Sequence, residues 1–159
     1  METPNQITKR LRDVLVDGHW IANTNYKELL ADLTWEEATK TFGQHNSIAL
    51  LTFHVNYYLE GLLHAFETGE LVIKDKFSFD LPALQSDKEW TTMVAKFNSN
   101  ALAFVKAVEV MSPEQLDSPF IIEKYGTYRR NIEGVIEHSY YHMGQIAMIK
   151  KLLKTKTTS

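Results

Sequence analysis

The chain has 159 residues, 44% of them apolar and 23% charged, which is enough for one domain with a core of its own. A net charge of −3 without a basic cluster argues against nucleic acid as a partner. The absence of cysteine excludes disulfides, thiolate metal sites and cysteine nucleophiles, so any metal must be held by nitrogen and oxygen and any reactive thiol must come from outside.

Thr3-Pro4-Asn5-Gln6 reads as a capping box with proline at the first helical position. Ile7, Leu11, Val14, Leu15, Ile21, Ala22, Leu29 and Leu30 continue at helical spacing, which predicts one helix reaching about Asp32. Thr34-Trp35-Glu36-Glu37 is a second capping box, opening a short helix that stops near Gly43. A second long helix is predicted from Asn46 or Ser47 to Gly69, with Ile48, Leu51, Val55, Leu59, Leu62 and Phe66 as its apolar stripe. Residues 70 to 85 include Pro82 and read as a connection rather than a strand. Ser86-Asp87-Lys88-Glu89 caps a third long helix, and Ser112-Pro113 starts a short turn that Pro119 ends. From about Arg130, the positions Ile132, Val135, Ile136, Ile146, Ile149 and Leu152 mark the last long helix. Its basic end, KKLLKTKTTS, complements the helix dipole.

These elements predict an all-α four-helix bundle with short extra helices and a long connection between helices two and three. It forms a single domain over residues 1–154, with a C-terminal tail at 155–159. METPNQITKRLRDVL lacks the apolar core of a signal peptide, and no apolar run approaches the roughly 20 residues that a membrane span needs. A cytoplasmic protein without a membrane partner is expected.

Six histidines offer the chemistry of interest. His138 and His142 sit four apart in EHSYYHMGQIAMIKKLL, so they share one helix face, bordered by Val135, Ile146 and Ile149. Each buried imidazole needs partners for both nitrogens, and a metal binding the neutral form removes the repulsion between two of them. A third ligand must come from another helix. His54, at the edge of the second helix's apolar stripe, is the best placed, whereas His19, His45 and His64 are poorer candidates. Taken singly, each of the three is more simply a core or surface histidine with ordinary hydrogen bonds; as a trio they make a candidate metal site. Gln145, one turn beyond His142, is a candidate hydrogen-bond partner of a ligand, and Tyr58 and Tyr141 are candidate pocket residues. Glu137 is turned about 100° from His138 and faces away. The acidic residues give little support to a carboxylate di-iron site, because EGLLH, starting at Glu60, has the wrong spacing, and imidazoles one helical turn apart cannot straddle a haem.

Two segments, NSIALLTFHVNYY and the H-x-x-x-H-x-G-Q stretch within VIEHSYYHMGQIAMIKKL, resemble the DinB/YfiT-like superfamily of metalloenzymes. The order of the histidines, one in the second helix and a pair in the last, is similar as well. The resemblance implies a DinB-type four-helix bundle, often paired as a homodimer, in which His54, His138 and His142 match the three metal-ligand positions. The family commonly has a basic residue where this chain has Met143. Characterised relatives use low-molecular-weight thiols, as S-transferases or isomerases.

Three neutral histidines leave a divalent ion with at least one open coordination position, the arrangement of a catalytic site. Zinc or nickel suits three imidazoles first, with iron, manganese and cobalt also compatible. The expected function is transfer of an exogenous thiol's sulfur to an electrophilic small-molecule substrate. The alternatives are a metal-dependent hydrolase and a non-catalytic metal- or ligand-binding stress-response protein.

Overall fold

The computed structural model describes residues 2–155, and these contain seven α-helices: α1 (Pro4–Leu15), α2 (Tyr26–Leu30), α3 (Trp35–Thr39), α4 (Ile48–Thr68), α5 (Asp87–Glu109), α6 (Pro113–Asp117) and α7 (Tyr128–Thr155). The tail expected from residue 155 lies outside the described residues, apart from Thr155, which closes α7.

Most helix ends follow local chemistry. Thr3 and Thr34 each accept the backbone N–H of the third helical residue, and the Gln6 and Glu37 side chains reach back to complete both capping boxes. Ser47 and Ser86 cap α4 and α5 by accepting the N–H of Leu50 and of Glu89, and Gly69, at a φ of 75°, ends α4 in the left-handed conformation. Helix α3 stops at Thr39 rather than near Gly43, with Lys40 already extended. Helix α7 begins two residues before the expected Arg130, because the Thr127 hydroxyl takes the Arg130 N–H at 3.1 Å.

The first helix departs most from expectation. It ends at Leu15 instead of reaching Asp32. The N–H groups of Val16, Asp17 and Gly18 all turn to the Arg12 carbonyl at 3.1 Å, which closes the helix on itself. Gly18 comes so close to α1 that a Cβ there would lie 2.1 Å from Asp13 Oδ1 and 2.6 Å from its Cα. Trp20 and Ile21 follow at 69% and 67% exposure, so Ile21, which prolongs the helical pattern, does not face the core, whereas Leu30 reaches it from a separate helix. Asn25 then starts α2, accepting from the Glu28 N–H at 3.0 Å and donating to the Gly18 carbonyl at 2.9 Å.

Helices α1 and α4 each pack against both α5 and α7, so the four long helices form a ring in which α1 and α4 are diagonal. The core is filled by Ile7, Leu11 and Val14 from α1, Leu51, Val55 and Leu59 from α4, Phe97, Phe104 and Val108 from α5, and Ile132, Ile136 and Ile146 from α7. Several of its polar groups are satisfied across elements. The Trp90 indole donates to the Leu33 carbonyl at 2.9 Å, and Asn100 donates to Asn56 Oδ1 at 2.9 Å, tying α5 to α4. The buried Tyr26 ring stacks on Phe97 and its hydroxyl donates to the Ser139 carbonyl at 2.9 Å, beside His138 on α7.

The connection from α4 to α5 holds a single 3₁₀ turn, Asp75–Phe77, and is fastened along α4. Tyr57 Oη donates to the Lys74 carbonyl at 3.0 Å and accepts the Lys74 N–H at 2.9 Å. Ile73 seats on Gly61, where a Cβ would stand 2.0 Å from Ile73 Cγ2. Replacing Gly61 with alanine is therefore expected to destabilise the protein by about 1–3 kcal/mol through overpacking, despite alanine's better helix propensity. The readout is a lower urea midpoint. Adding Ile73→Ala should restore part of the loss, and an unchanged midpoint in Gly61→Ala would mean that the connection is not seated there.

Candidate metal centre

Helix periodicity places the site residues. His54, Tyr58 and Leu62 follow at intervals of four along α4, while Asn131, Val135, His138 and His142 follow at three and four along α7. These two faces meet, and the connection after Ile73 closes over them.

His54 Nε2 lies 3.0 Å from His138 Nε2, and nitrogens of His54, His138 and His142 all lie within 4.8 Å of one another. Ligands of a tetrahedral ion bound at 2.0–2.1 Å are separated by about 3.4 Å, a value the observed spread brackets. The two outer hydrogen bonds set the tautomers. His54 Nδ1 donates to the Ser78 carbonyl at 3.2 Å, and His142 Nδ1 donates to Gln145 Oε1 at 2.6 Å. Both rings therefore keep a lone pair on Nε2, the arrangement in which an imidazole binds a metal. Donor type, tautomer and spacing all fit a divalent ion of intermediate hardness.

Aromatic rings wall the centre. Phe79 stacks on His54 at 3.9 Å between centroids and 10° between planes. Tyr58 stands edge-on to both His54 and His138, at 5.2 Å from each. Burial pushes His138 down to about 4, helped by the neighbouring His142 and His54. Burial also lowers His54, partly offset by its bond to the Ser78 carbonyl. Burial raises the Tyr58 phenol. His54 and His138 are thus held neutral and ready for an ion without first losing a proton.

Beside the triad lies a pocket of about 290 Å³ that His138 and Tyr58 help to line. Leu62, Leu71, Ile73 and Val135 give it apolar walls, and Asp75 and Asn131 give it polar points.

The remaining sequence candidates fall on either side of this centre. Gln145 touches His142 directly. Tyr141 is 66% exposed and presents its ring to His142 at 4.9 Å, outside the pocket. Glu137, His45 and His64 are exposed, and His19 pairs with Glu28 at 2.6 Å on the surface. Met143 is buried in the core, where an unpaired basic side chain would be costly. Ser78, Phe79 and Asp75 escaped the sequence reading, because nothing in the composition of the connection ties it to the histidines. Comparison with protein-family models, curated proteins and solved structures found no match.

The depressed His138 value has a consequence for metal-free protein. An unfolded imidazole takes up its proton near pH 6.5, whereas the folded one resists until about pH 4. Between these values the unfolded chain binds more protons, so stability present above pH 6.5 is lost as the pH falls toward 4. Urea midpoints at several pH values should show this decline, and His138→Gln should flatten it. An equally steep decline in that variant would place its origin elsewhere.

Proposed function

We propose that the chain is a DinB-type four-helix metalloprotein. It holds a divalent ion, zinc or nickel foremost, on His54, His138 and His142 and transfers the sulfur of a low-molecular-weight thiol to an electrophilic small molecule. The observation that carries this reading is the pair of outer carbonyl acceptors, Ser78 O and Gln145 Oε1, which leave the inner nitrogens of His54 and His142 free to coordinate. The resemblance of the two histidine-bearing segments to the DinB/YfiT-like superfamily supports the same site. It also brings a homodimeric assembly into the proposal, and the lack of a long apolar run in the sequence brings a cytoplasmic setting. Among the described residues, no helix is long and apolar enough to cross a membrane.

An ion bound here supplies Lewis acidity, which makes a thiol available as its thiolate near neutral pH. The chain's own residues do the rest. The histidines hold their inner nitrogens at fixed tautomers, and Phe79 and Tyr58 keep bulk water off the rings. The pocket lined by Leu62, Ile73 and Val135 holds the electrophile against His138. The sulfur forms a bond to the electrophilic carbon, the leaving group departs with its electron pair, and the thiol proton passes to solvent. The absence of cysteine prevents the chain from competing as its own nucleophile.

Elemental analysis of natively purified protein should find about one divalent ion per chain. His54→Ala and His142→Ala should each abolish binding, and Gln145→Ala should weaken it by about 10–100-fold. With a panel of electrophiles, turnover should require both the ion and an added thiol. Unchanged metal content in both histidine variants would refute the triad, and turnover without thiol would assign the site to hydrolysis.

A further inference from the structure

Three polar side chains that line the pocket beside the triad present acceptors to it, while the Tyr125 phenol, 44% exposed, can donate or accept. Asp75 contributes a carboxylate, and the Tyr58 hydroxyl donates its hydrogen bond to Asp75 Oδ1 at 3.0 Å, which leaves the phenol oxygen as an acceptor. Asn131 spends its amide hydrogens on the carbonyls of Tyr125, at 3.0 Å, and Thr127, at 2.8 Å, so only its Oδ1 is left to offer. No lysine or arginine lines the pocket, and among the described residues none pairs with Asp75. Lys124 lies instead over the Tyr125 ring, 4.8 Å from its centroid.

An anionic ligand would face an unpaired carboxylate here, and a ligand without donors would leave unmet the acceptors that it covers. A protonated amine meets both demands, because its three hydrogens match the acceptors and its charge matches the carboxylate. The space is kept open from α7 as well. Gly134 lines the pocket inside that helix, against glycine's poor helix propensity, and no neighbouring atom lies within 4 Å of where its Cβ would stand.

We propose that this pocket binds a primary amine with an apolar body: the ammonium on Asp75 and Asn131, the body against Leu62, Ile73 and Val135, and the reactive part turned toward His138. The last clause rests on the triad being the reacting end of the pocket, whereas recognition of the amine does not.

The test uses the full chain, with and without zinc, at pH 7 and follows binding of 2-phenylethylamine and 2-phenylethanol by calorimetry. The amine is expected to bind at least about tenfold more tightly than the alcohol in both forms. Asp75→Asn should remove that preference without changing zinc content, and Gly134→Leu should exclude both compounds while circular dichroism shows the helices intact. Equal affinity for the two compounds, no binding of either, or an amine preference that survives Asp75→Asn would overturn the assignment. Loss of zinc in Asp75→Asn would overturn it as well, by making Asp75 part of the metal centre. Neither titration depends on turnover, so an absence of S-transfer would leave this result standing, and a failure here would leave the triad and its metal content standing.

Discussion

Burying imidazoles at the junction of two helices and a loop imposes a demand that the surrounding structure has to meet: each ring has two nitrogens, and both need a partner. Carbonyl oxygens on the outside satisfy that demand for His54 and His142, which leaves the inner nitrogens pointing at one another. In the absence of an ion, His138 can donate from Nε2 to His54 across 3.0 Å, so the metal-free centre is internally bonded rather than frustrated. The same short separation becomes repulsive if both rings are protonated, and that is why burial and mutual charge act together to hold His138 neutral.

The connection between α4 and α5 does more than join two helices. Ile73 on Gly61 and the double hydrogen bond between Tyr57 and Lys74 lay it along α4, and that placement brings Asp75, Ser78 and Phe79 to the site. A carboxylate, a backbone acceptor and a stacking ring thus reach the two histidine-bearing helices from one short segment. Tyr26 works from the other side of α7, where its hydroxyl grips the Ser139 carbonyl and fixes the helix next to His138.

Much of this was legible in the sequence. Helix starts at Thr3, Thr34, Ser47 and Ser86 are written in side chains that cap within three residues, so local chemistry suffices to find them. The convergence of His54, His138 and His142 could be anticipated because helical spacing and apolar neighbours set direction, and those features are local too. The end of α1 could not. Ile21 and Ala22 keep the helical period and yet face solvent, and the close approach of Gly18 to Asp13 exists only once the chain has turned. The outer partner of His54 was invisible for another reason: it is a main-chain oxygen, which every residue type carries. The pocket depends on four separate segments and has no signature in any one of them.

That main-chain oxygen sets how the centre tolerates change. Substituting the side chain at position 78 leaves the acceptor of His54 in place, whereas adding or removing one residue between Ile73 and Ser78 moves the oxygen itself, together with the ring at Phe79. The turn is closed by the main chain, with the Ser78 N–H donating to the Asp75 carbonyl at 3.0 Å, and the Ser78 hydroxyl only adds a second bond to the same oxygen at 2.7 Å. Loop length, rather than residue identity, is therefore the inherited quantity that keeps one imidazole correctly aimed, and a chain with a different count across this stretch would need another way to orient it.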